Sequence, residues 1–274
     1  MQTAYVALGA QRYRVERNWA QADLGSICSV AVLADGRIAA LLRRPASIIV
    51  LEPDGRLAAQ WPLADLLCPH HISARPGGGA LVADLDGHQV LALDGNGGEQ
   101  WRLGEPGRPR WQEPFNHPTH ALEWPDGGVW VSDGYGNTVV HRFDAGRRWL
   151  GAMGEPGDGP LQFSTPHMLA RAADGTVLVA DRENHRVQRL DGQGRYLGEL
   201  RPVHKPMAVA VLPQGDVLVS DQTASLSRFS AQDGRLIGRC RIQGVYGHGL
   251  AAGVDGCIHV AEMLPDCLTR LRPD

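Results

Sequence analysis

Residues 69–95, PHHISARPGGGALVADLDGHQVLALDG, contain the repeated unit that decides the fold of this chain. The unit begins with a proline and an apolar strand, passes through a glycine turn and continues as a second strand that ends in an acidic residue. A third apolar strand and an Asp-Gly turn follow. Strand and turn signals that alternate at this short spacing predict a small antiparallel sheet.

Six copies of this unit account for nearly all of the 274 residues. In each copy, a position at the start of the first strand lies 14 residues before the position that ends the second strand, and in the second copy that first position follows the proline, as in 84 − 70 = 14. The six pairs are Ser29 and Arg43, His70 and Asp84, Thr119 and Asp133, His167 and Asp181, Met207 and Asp221, and His248 and Glu262. Successive copies start 41, 49, 48, 40 and 41 residues apart, from 70 − 29, 119 − 70, 167 − 119, 207 − 167 and 248 − 207. Such a period, with four strand signals in each copy, is typical of propeller blades.

We therefore predict an all-β, six-bladed β-propeller that forms a single domain over residues 1–274. Each blade is expected to be a four-stranded antiparallel sheet whose first strand lines the central channel. The last copy is one strand short, whereas residues 13–16 precede the first copy and belong to none. We predict that this N-terminal segment is the outer strand of the last blade and closes the ring, covering an exposed edge. Simple packing of the first blade on the last is the alternative.

Composition narrows the class of protein. A net charge of −3 provides no broad basic surface, so we predict no nucleic-acid partner. The sequence has no apolar run of about 18 residues and no N-terminal charged region followed by an apolar one, which predicts a soluble, cytoplasmic protein without a membrane partner. Five cysteines without CxxC spacing argue against a disulfide framework or a zinc ribbon, and we expect them to be small buried residues.

Histidine occupies the first position of this 14-residue interval in every second copy, at His70, His167 and His248. Alternate blades of a six-fold ring lie about 120° apart, so these imidazoles should converge at one mouth of the channel. Three histidines with an open position are the ligand set of catalytic zinc, although iron, copper or another divalent metal is an alternative. Structural, hydrogen-bonded histidines are the competing interpretation. His71 and His120 occupy the next position and could support the ligands or serve the core.

The residues that end the second strand include Asp84, Asp133, Asp181, Asp221 and Glu262. Because they recur in five copies, we interpret them as acceptors for backbone N–H groups and not as catalytic acids. Arg43 is the exception and is suited to binding a carboxylate, with a solvated surface arginine as the alternative. The loops after two of the second strands add Tyr135 and Arg182, and a tyrosine beside a metal and a guanidinium can act as a general base.

Four runs closely resemble the catalytic propeller of the peptidyl-α-hydroxyglycine α-amidating lyases. They are 115–120 (FNHPTH), 131–137 (VSDGYGN), 166–167 (PH) and 179–188 (VADRENHRVQ). A broader resemblance to NHL-repeat propellers includes the two GEPG runs at 104–107 and 154–157. The resemblance covers most of the chain and is strongest from about residue 104 to residue 200.

This resemblance implies a reaction and a role for each matched residue. The family's zinc-binding histidines match His70, His167 and His248, its catalytic tyrosine matches Tyr135, and its two active-site arginines match Arg182 and Arg43. The implied reaction splits an N-substituted α-hydroxyglycine, a small molecule or a peptide with a carboxylate, into an amide and glyoxylate. No redox cofactor is implied.

The chain also departs from the family pattern. Asn116 and Gly136 stand where secreted members have cysteines, so those disulfides cannot form. Gly249 replaces an aspartate that helps to bind a structural calcium, which makes calcium in the channel doubtful. Tyr246 stands where the family has a methionine and places an extra hydroxyl near the metal.

Three functions are consistent with the sequence. The first is a metal-dependent lyase acting on a peptidyl carbinolamide or a ureidoglycolate-like compound. The second is a three-histidine metal hydrolase that uses metal-bound hydroxide, and the third is a non-enzymatic NHL propeller that binds a protein.

Overall fold

The protein is an all-β, six-bladed propeller. A computed structural model describes residues 4–17, 19–241 and 244–274, and within these ranges it contains strands but no helix. Consequently no helix in the described part of the chain could cross a membrane. Six sheets surround a central channel, and the prediction of four-stranded antiparallel blades is confirmed.

The strands follow the repeat. The N-terminal pair and the first three blades comprise β1 (Ala4–Leu8), β2 (Gln11–Glu16), β3 (Ile27–Val32), β4 (Ile38–Arg43), β5 (Ala46–Leu51), β6 (Leu57–Pro62), β7 (Pro69–Ala74), β8 (Ala80–Asp84), β9 (Gln89–Leu93), β10 (Glu99–Gly104), β11 (His120–Glu123), β12 (Val129–Asp133), β13 (Val139–Phe143) and β14 (Trp149–Met153). The remaining strands are β15 (Glu155–Pro156), β16 (Gln162–Phe163), β17 (Pro166–Arg171), β18 (Val177–Asp181), β19 (Arg186–Leu190), β20 (Tyr196–Leu200), β21 (Pro206–Val211), β22 (Val217–Asp221), β23 (Ser225–Phe229), β24 (Leu236–Arg241), β25 (Tyr246–Ala252), β26 (Ile258–Met263) and β27 (Cys267–Pro273). Strands β15 and β16 form a short parallel pair outside the blades.

Burial explains why the inner strands are continuous apolar runs. In the second blade β8 and β9 are buried along their whole length, whereas the outer strand β10 is largely exposed. Neighbouring blades cover both faces of the inner strands, so these strands have no solvent-facing side to be polar. The core therefore lies between the blades, around the channel.

A β-bulge shapes the innermost strand of the histidine-bearing blades. In the second blade Pro69 pairs with Asp84 and His71 with Ala83, which leaves His70 without a partner. The register shifts in the same way at the start of β17 and of β25, where His167 and His248 lie. Bulges bend a strand and redirect a side chain, and here they occur where each histidine enters the channel.

A bulge of the same kind in the first blade shows that the predicted register of that blade was wrong by one residue. Ile27 pairs with Leu42 and Ser29 with Leu41, so Cys28 and not Ser29 is the counterpart of His70. Leu42, not Arg43, is then the counterpart of Asp84, although β4 extends to Arg43. The sequence predicted the wrong register here because the first copy lacks both the leading proline of the second to fifth copies and the acidic residue of all the other copies.

The predicted ring closure is confirmed. Strand β2 pairs antiparallel with β27, from Tyr13 opposite Pro273 to Glu16 opposite Arg270, and becomes the fourth strand of the last blade. Strand β1 adds a fifth strand that the repeat did not predict. Leu8, at the end of β1, is fully buried in the core cluster that also contains residues of the fifth blade, which explains why the extra strand is held there.

All five cysteines are free thiols. Cys28 and Cys257 are buried as expected, but the other three, Cys68, Cys240 and Cys267, are only half-buried. The prediction of buried cysteines was therefore wrong for those three.

Candidate metal centre and its arginine-tyrosine rim

The structure brings the three alternate histidines together. The ring centroids of His70, His167 and His248 lie 4.9, 4.8 and 5.1 Å apart, and all three side chains are buried. With metal–nitrogen distances of about 2.1 Å, imidazoles that share one ion have centroids about 5 Å apart. The geometry of the trio therefore fits one metal ion.

Each ring is oriented by a backbone carbonyl of the next blade. Nδ1 of His70 lies 2.8 Å from the Thr119 oxygen, and Nδ1 of His167 lies 2.6 Å from the Met207 oxygen. Nδ1 of His248 lies 2.8 Å from the Cys28 oxygen, which again identifies Cys28 as the counterpart of Thr119 and Met207. A carbonyl can only accept, so each Nδ1 carries the proton and each Nε2 keeps a lone pair. A carbonyl that accepts the proton of the other ring nitrogen is typical of metal-binding histidines.

The Nε2 atoms have few other partners. Nε2 of His70 is buried and makes no hydrogen bond within the described ranges. An unpaired buried polar atom is costly, and a bound cation would satisfy it.

A fourth histidine, His71, belongs to the same cluster. One ligand atom from each of His70, His71, His167 and His248 can be chosen so that all four lie within 4.8 Å of one another. The sequence placed His71 next to the trio but did not predict it as a ligand. Its signal was weak because its column has only one other histidine, His120, on the adjacent blade.

Burial keeps the cluster neutral. It holds the pKa values of His70, His71 and His167 well below the ordinary histidine value and lowers that of His248 to about 3. The neighbouring histidines and arginines lower these pKa values further. Neutral imidazole is the form that binds metals.

The next ring of side chains along the channel does not fit calcium. It consists of Ser29, His71, His120, Met168, Ala208 and Gly249, and it contains no carboxylate. A Cβ atom at Gly249 would lie 2.5 Å from Cα of Ser29, so the close approach of the two strands leaves no room for an aspartate there. This supports the expectation that calcium in the channel is doubtful, because Ca²⁺ requires oxygen ligands.

His120 should make the metal-free protein sensitive to acid. Burial lowers its pKa from 6.5 to about 3, so the unfolded chain binds a proton that the folded chain refuses between these values. The folded state therefore keeps its full free energy of unfolding above pH 6.5 and loses part of it as the pH falls from 6.5 toward 3. We expect the free energy of unfolding, measured with urea in the presence of a chelator, to decrease on acidification through this window. His120→Phe places an apolar ring in a part of the channel lined by apolar side chains. It should reduce the slope of the unfolding free energy against pH by up to about 1.4 kcal/mol per pH unit. An unchanged slope would contradict this assignment.

Tyr135 lies over the trio at the mouth of the channel. Its hydroxyl is 3.1 Å from Nε2 of His167 and accepts a hydrogen bond of 2.7 Å from Nη1 of Arg182. The side chain is 42% exposed, so a substrate can reach it. Gly134 permits this position, since a Cβ atom there would lie 2.3 Å from the Pro166 oxygen, at the start of the strand that carries His167.

Arg182 is held by charged neighbours. Its Nε donates to Glu183 at 2.9 Å, and the other oxygen of Glu183 pairs with Nζ of Lys205 at 2.8 Å. The guanidinium also lies over the ring of Tyr135, 5.0 Å from its centroid. Arg182 is thereby fixed beside the tyrosine hydroxyl.

Arg43 occupies the same structural position as Arg182. With the corrected register, Arg43 follows Leu42 as Arg182 follows Asp181, on the first and the fourth blade, which face each other across the ring. Its Nε donates to the Pro69 oxygen at 3.2 Å, and no carboxylate of the described residues lies within ion-pair distance of it. Both arginines lower the pKa values of His167 and His248, after burial as the largest cause, so their positive charge reaches the cluster.

The acidic residues at the strand ends are structural, as predicted. Asp84 accepts from the backbone nitrogens of Leu67 and Cys68, and Asp133, Asp181 and Asp221 each accept from the residue 17 positions earlier. They hold the incoming loop of each blade. Glu262 accepts instead from the Thr269 hydroxyl and lies 3.4 Å from Arg17.

The fold and the cluster together define a six-bladed β-propeller with a candidate metal centre at one mouth of its channel. Residues 163–190, which include the first three strands of the fourth blade, match the NHL repeat. The propeller resembles the structure of a streptogramin B lyase, with a TM-score of 0.68 and 12% identity over 98% of this chain and all of the other. At that identity the similarity concerns the fold alone.

Sequence relatives are more informative. The chain is 35% identical over 154 residues to the peptidylglycine alpha-amidating monooxygenase of Rattus norvegicus, a match over 52% of this chain and 16% of that protein. It is 26% identical over 189 residues to the peptidyl-alpha-hydroxyglycine alpha-amidating lyase 1 of Drosophila melanogaster, over 64% of this chain and 34% of the relative. The matches thus cover about a third or less of these relatives. The similarity favours an enzyme and, in general terms, a lyase.

Proposed function

We propose that this protein is a metal-dependent lyase that cleaves the C–N bond of an N-substituted α-hydroxyglycine, giving an amide and glyoxylate. The observation that carries the proposal is the position of the Tyr135 hydroxyl, between Nε2 of His167 and the guanidinium of Arg182, above three converging imidazoles. The similarity to an alpha-amidating lyase of Drosophila melanogaster supports the same reaction class.

The residues that would hold the ion are His70, His167 and His248. Their donor set is neutral and nitrogen-only, which suits zinc and also iron or copper. When bound, a divalent ion acts as a Lewis acid that polarises the α-hydroxyl group of the substrate and makes it more acidic.

Tyr135 is the general base in this proposal. It takes the proton of the α-hydroxyl, the oxygen forms the aldehyde C=O bond, and the C–N bond breaks with its electron pair going to nitrogen. The nitrogen then receives the proton, so the reaction consumes no water and is neither an oxidation nor a reduction. A base must lie within hydrogen-bond reach of the proton it moves, and Tyr135 is partly exposed in the channel mouth, where a substrate would bind.

Arg182 and Arg43 would bind the carboxylate of the substrate. A guanidinium presents parallel N–H donors that match a carboxylate, and Arg43 has no carboxylate partner within the described ranges. Two arginines on facing blades place positive charge on both sides of the mouth. The substrate carboxylate and the developing negative charge are thereby stabilised.

The test uses α-hydroxyhippurate, N-benzoyl-α-hydroxyglycine, with protein loaded with Zn²⁺ and, separately, with Fe²⁺. A lyase releases benzamide and glyoxylate in equal amounts, faster than chelator-treated protein does. A hydrolase that cuts the benzoyl–nitrogen bond would release benzoate instead, so the aromatic product distinguishes the two enzymes. Ureidoglycolate, assayed for urea, tests the smaller substrate class. Failure to accelerate either reaction with any metal would contradict the proposal and favour a binding propeller.

A further inference from the structure

We propose that Lys205 positions Arg182 for substrate binding by holding one oxygen of Glu183, which leaves one edge of the guanidinium free for a carboxylate. Lys205 is a positioning residue in this proposal, because it acts through Glu183 and does not contact the substrate. The inference rests on the proposed function, since it deepens the step in which the substrate carboxylate is bound.

Lys205 is the only lysine of the chain. The other side chains counted among its 27 lysines and arginines are all arginines, 27 − 1 = 26. The two residue types bind a carboxylate differently, because a guanidinium is a planar fork that can take both oxygens, whereas an ammonium group is a point charge on a flexible stem. The single exception to arginine lies at the channel mouth, beside Arg182 and Glu183. This exception indicates that the position requires a point charge.

Lys205 is fixed at two points to the loop that carries Arg182. Its Nζ lies 2.8 Å from Oε2 of Glu183, and its backbone nitrogen donates to Nδ1 of His185 at 3.2 Å. The backbone nitrogen of His185 in turn donates to the Arg182 oxygen at 3.2 Å. The side chains of Lys205 and Glu183 are only 33% and 31% exposed, so water screens their ion pair incompletely. The segment that enters the fifth blade therefore holds the charged loop of the fourth.

The guanidinium of Arg182 keeps unused donors. Nε donates to Oε1 of Glu183 at 2.9 Å and Nη1 to the Tyr135 hydroxyl at 2.7 Å, whereas Nη2 makes no hydrogen bond to any residue that the structure describes. Nε and Nη2 point to the same side of the group, so a carboxylate bound to Nε ordinarily takes Nη2 with its second oxygen. Here Lys205 holds that second oxygen. Nη2 is thereby left for a ligand.

An ion pair elsewhere in the chain shows the closed arrangement. Arg102 donates from Nε to one oxygen of Glu99 at 3.2 Å and from Nη2 to the other oxygen at 2.8 Å. The carboxylate of Glu99 thus occupies both donors on that edge of the guanidinium. Without Lys205, Glu183 should close on Arg182 in the same way.

Glu183 is charged and competes with a substrate for Arg182. Partial burial raises the pKa of Glu183, but the hydrogen bond from Lys205 and the charge of Arg182 outweigh burial and hold this pKa below its ordinary value. The carboxylate of Glu183 is therefore negative at neutral pH, as is the carboxylate of the proposed substrate. Two carboxylates thus compete for one edge of the guanidinium, and the contact between Lys205 and Oε2 favours the substrate.

The experiment measures the binding of hippurate, N-benzoylglycine, to the Zn²⁺-loaded full chain by calorimetry. Hippurate has the carboxylate of the proposed substrate but no α-hydroxyl group, so the proposed reaction cannot cleave it. Lys205→Met should weaken hippurate binding by about 10-fold or more, because the ligand loses a charge-assisted hydrogen bond. The KM for α-hydroxyhippurate should rise by the same factor with little change in kcat, since Nη1 of Arg182 keeps its contact with Tyr135.

Two further variants separate positioning from a general loss of charge. In the Glu183→Gln background, Lys205→Met should change hippurate affinity by less than about twofold, because an uncharged amide does not compete for the guanidinium. Arg108→Met removes one positive charge from an exposed ion pair with Glu105 and should leave hippurate binding unchanged. Acetylation of the wild type neutralises Lys205 as the only lysine side chain and should reproduce the loss without a substitution.

The outcomes distinguish this proposal from the proposed function. Equal hippurate affinity of the wild type and Lys205→Met would overturn the positioning role, as would a wild type that does not bind hippurate. A loss of the same size in the Glu183→Gln background would also overturn it, because Lys205 would then bind the ligand directly. A loss that requires Glu183, in a protein that releases no glyoxylate from α-hydroxyhippurate, would refute the proposed function and leave the positioning role intact.

Discussion

Tyr135→Phe is expected to lower kcat for glyoxylate release by about 100- to 10,000-fold, which is the usual contribution of a general acid–base group. The substitution removes one oxygen atom and keeps the ring, which lies edge-on to the rings of His70 and His167. The metal ligands remain in place, so the metal content should equal that of the wild type. Glyoxylate release and metal content should be measured on the same preparation.

The size of the effect follows from the lack of a substitute base. The Tyr135 hydroxyl contacts both His167 and Arg182, and an arginine at neutral pH cannot accept a proton. The histidines of the trio donate their Nδ1 protons to carbonyls, and their Nε2 atoms are the ones that would hold the ion. Removal of the phenol therefore leaves no group at the mouth that is placed to move the hydroxyl proton.

Tyr196→Phe is the matched control, because Tyr196 lies on the outer strand of the fourth blade, away from the channel. It should retain the wild-type rate. If Tyr135→Phe retained that rate as well, Tyr135 would not be the base, and a hydroxide nucleophile would be the better explanation of any activity.

The fold was predictable because every blade repeats the same pattern of apolar strands and turns. The 14-residue interval located each pair of inner strands, and the missing strand of the last copy predicted the closure by β2. Strand β1 was not predicted because it has no counterpart in the repeat. It is held by tertiary contacts, notably those of the buried Leu8, and such contacts leave no periodic signal in the sequence.

The site was predictable only as far as it is symmetric. His70, His167 and His248 lie in one column of the repeat and converge as that symmetry requires. Arg43 was placed in the wrong column because the first copy lacks its anchoring residues, and only the pairing of Ile27 with Leu42 revealed its equivalence to Arg182. His71 was missed as a cluster member because its neighbours Ser29 and His167 belong to other blades and leave no signal in its own copy of the repeat.

His167→Ala is expected to weaken metal binding by at least about 100-fold, since direct ligands matter more than their outer partners. Glyoxylate release should fall to that of the chelated wild type, because the same substitution removes both an imidazole ligand and the hydrogen-bond partner of Tyr135. Metal content after dialysis against a chelator and the rate of glyoxylate release are the two measurements.

Met207→Ala is the control that distinguishes loss of the His167 imidazole from a general disturbance of the channel wall. Met207 occupies the equivalent position on the next blade, and its backbone oxygen accepts the Nδ1 proton of His167. Alanine keeps that oxygen and removes only the side chain, so Met207→Ala should retain both metal and activity. Equal metal loss in the two variants would mean that the channel wall, and not the imidazole, determines binding. Retention of stoichiometric metal by His167→Ala would exclude His167 as a ligand, and with it the convergence of alternate blades on which the centre depends.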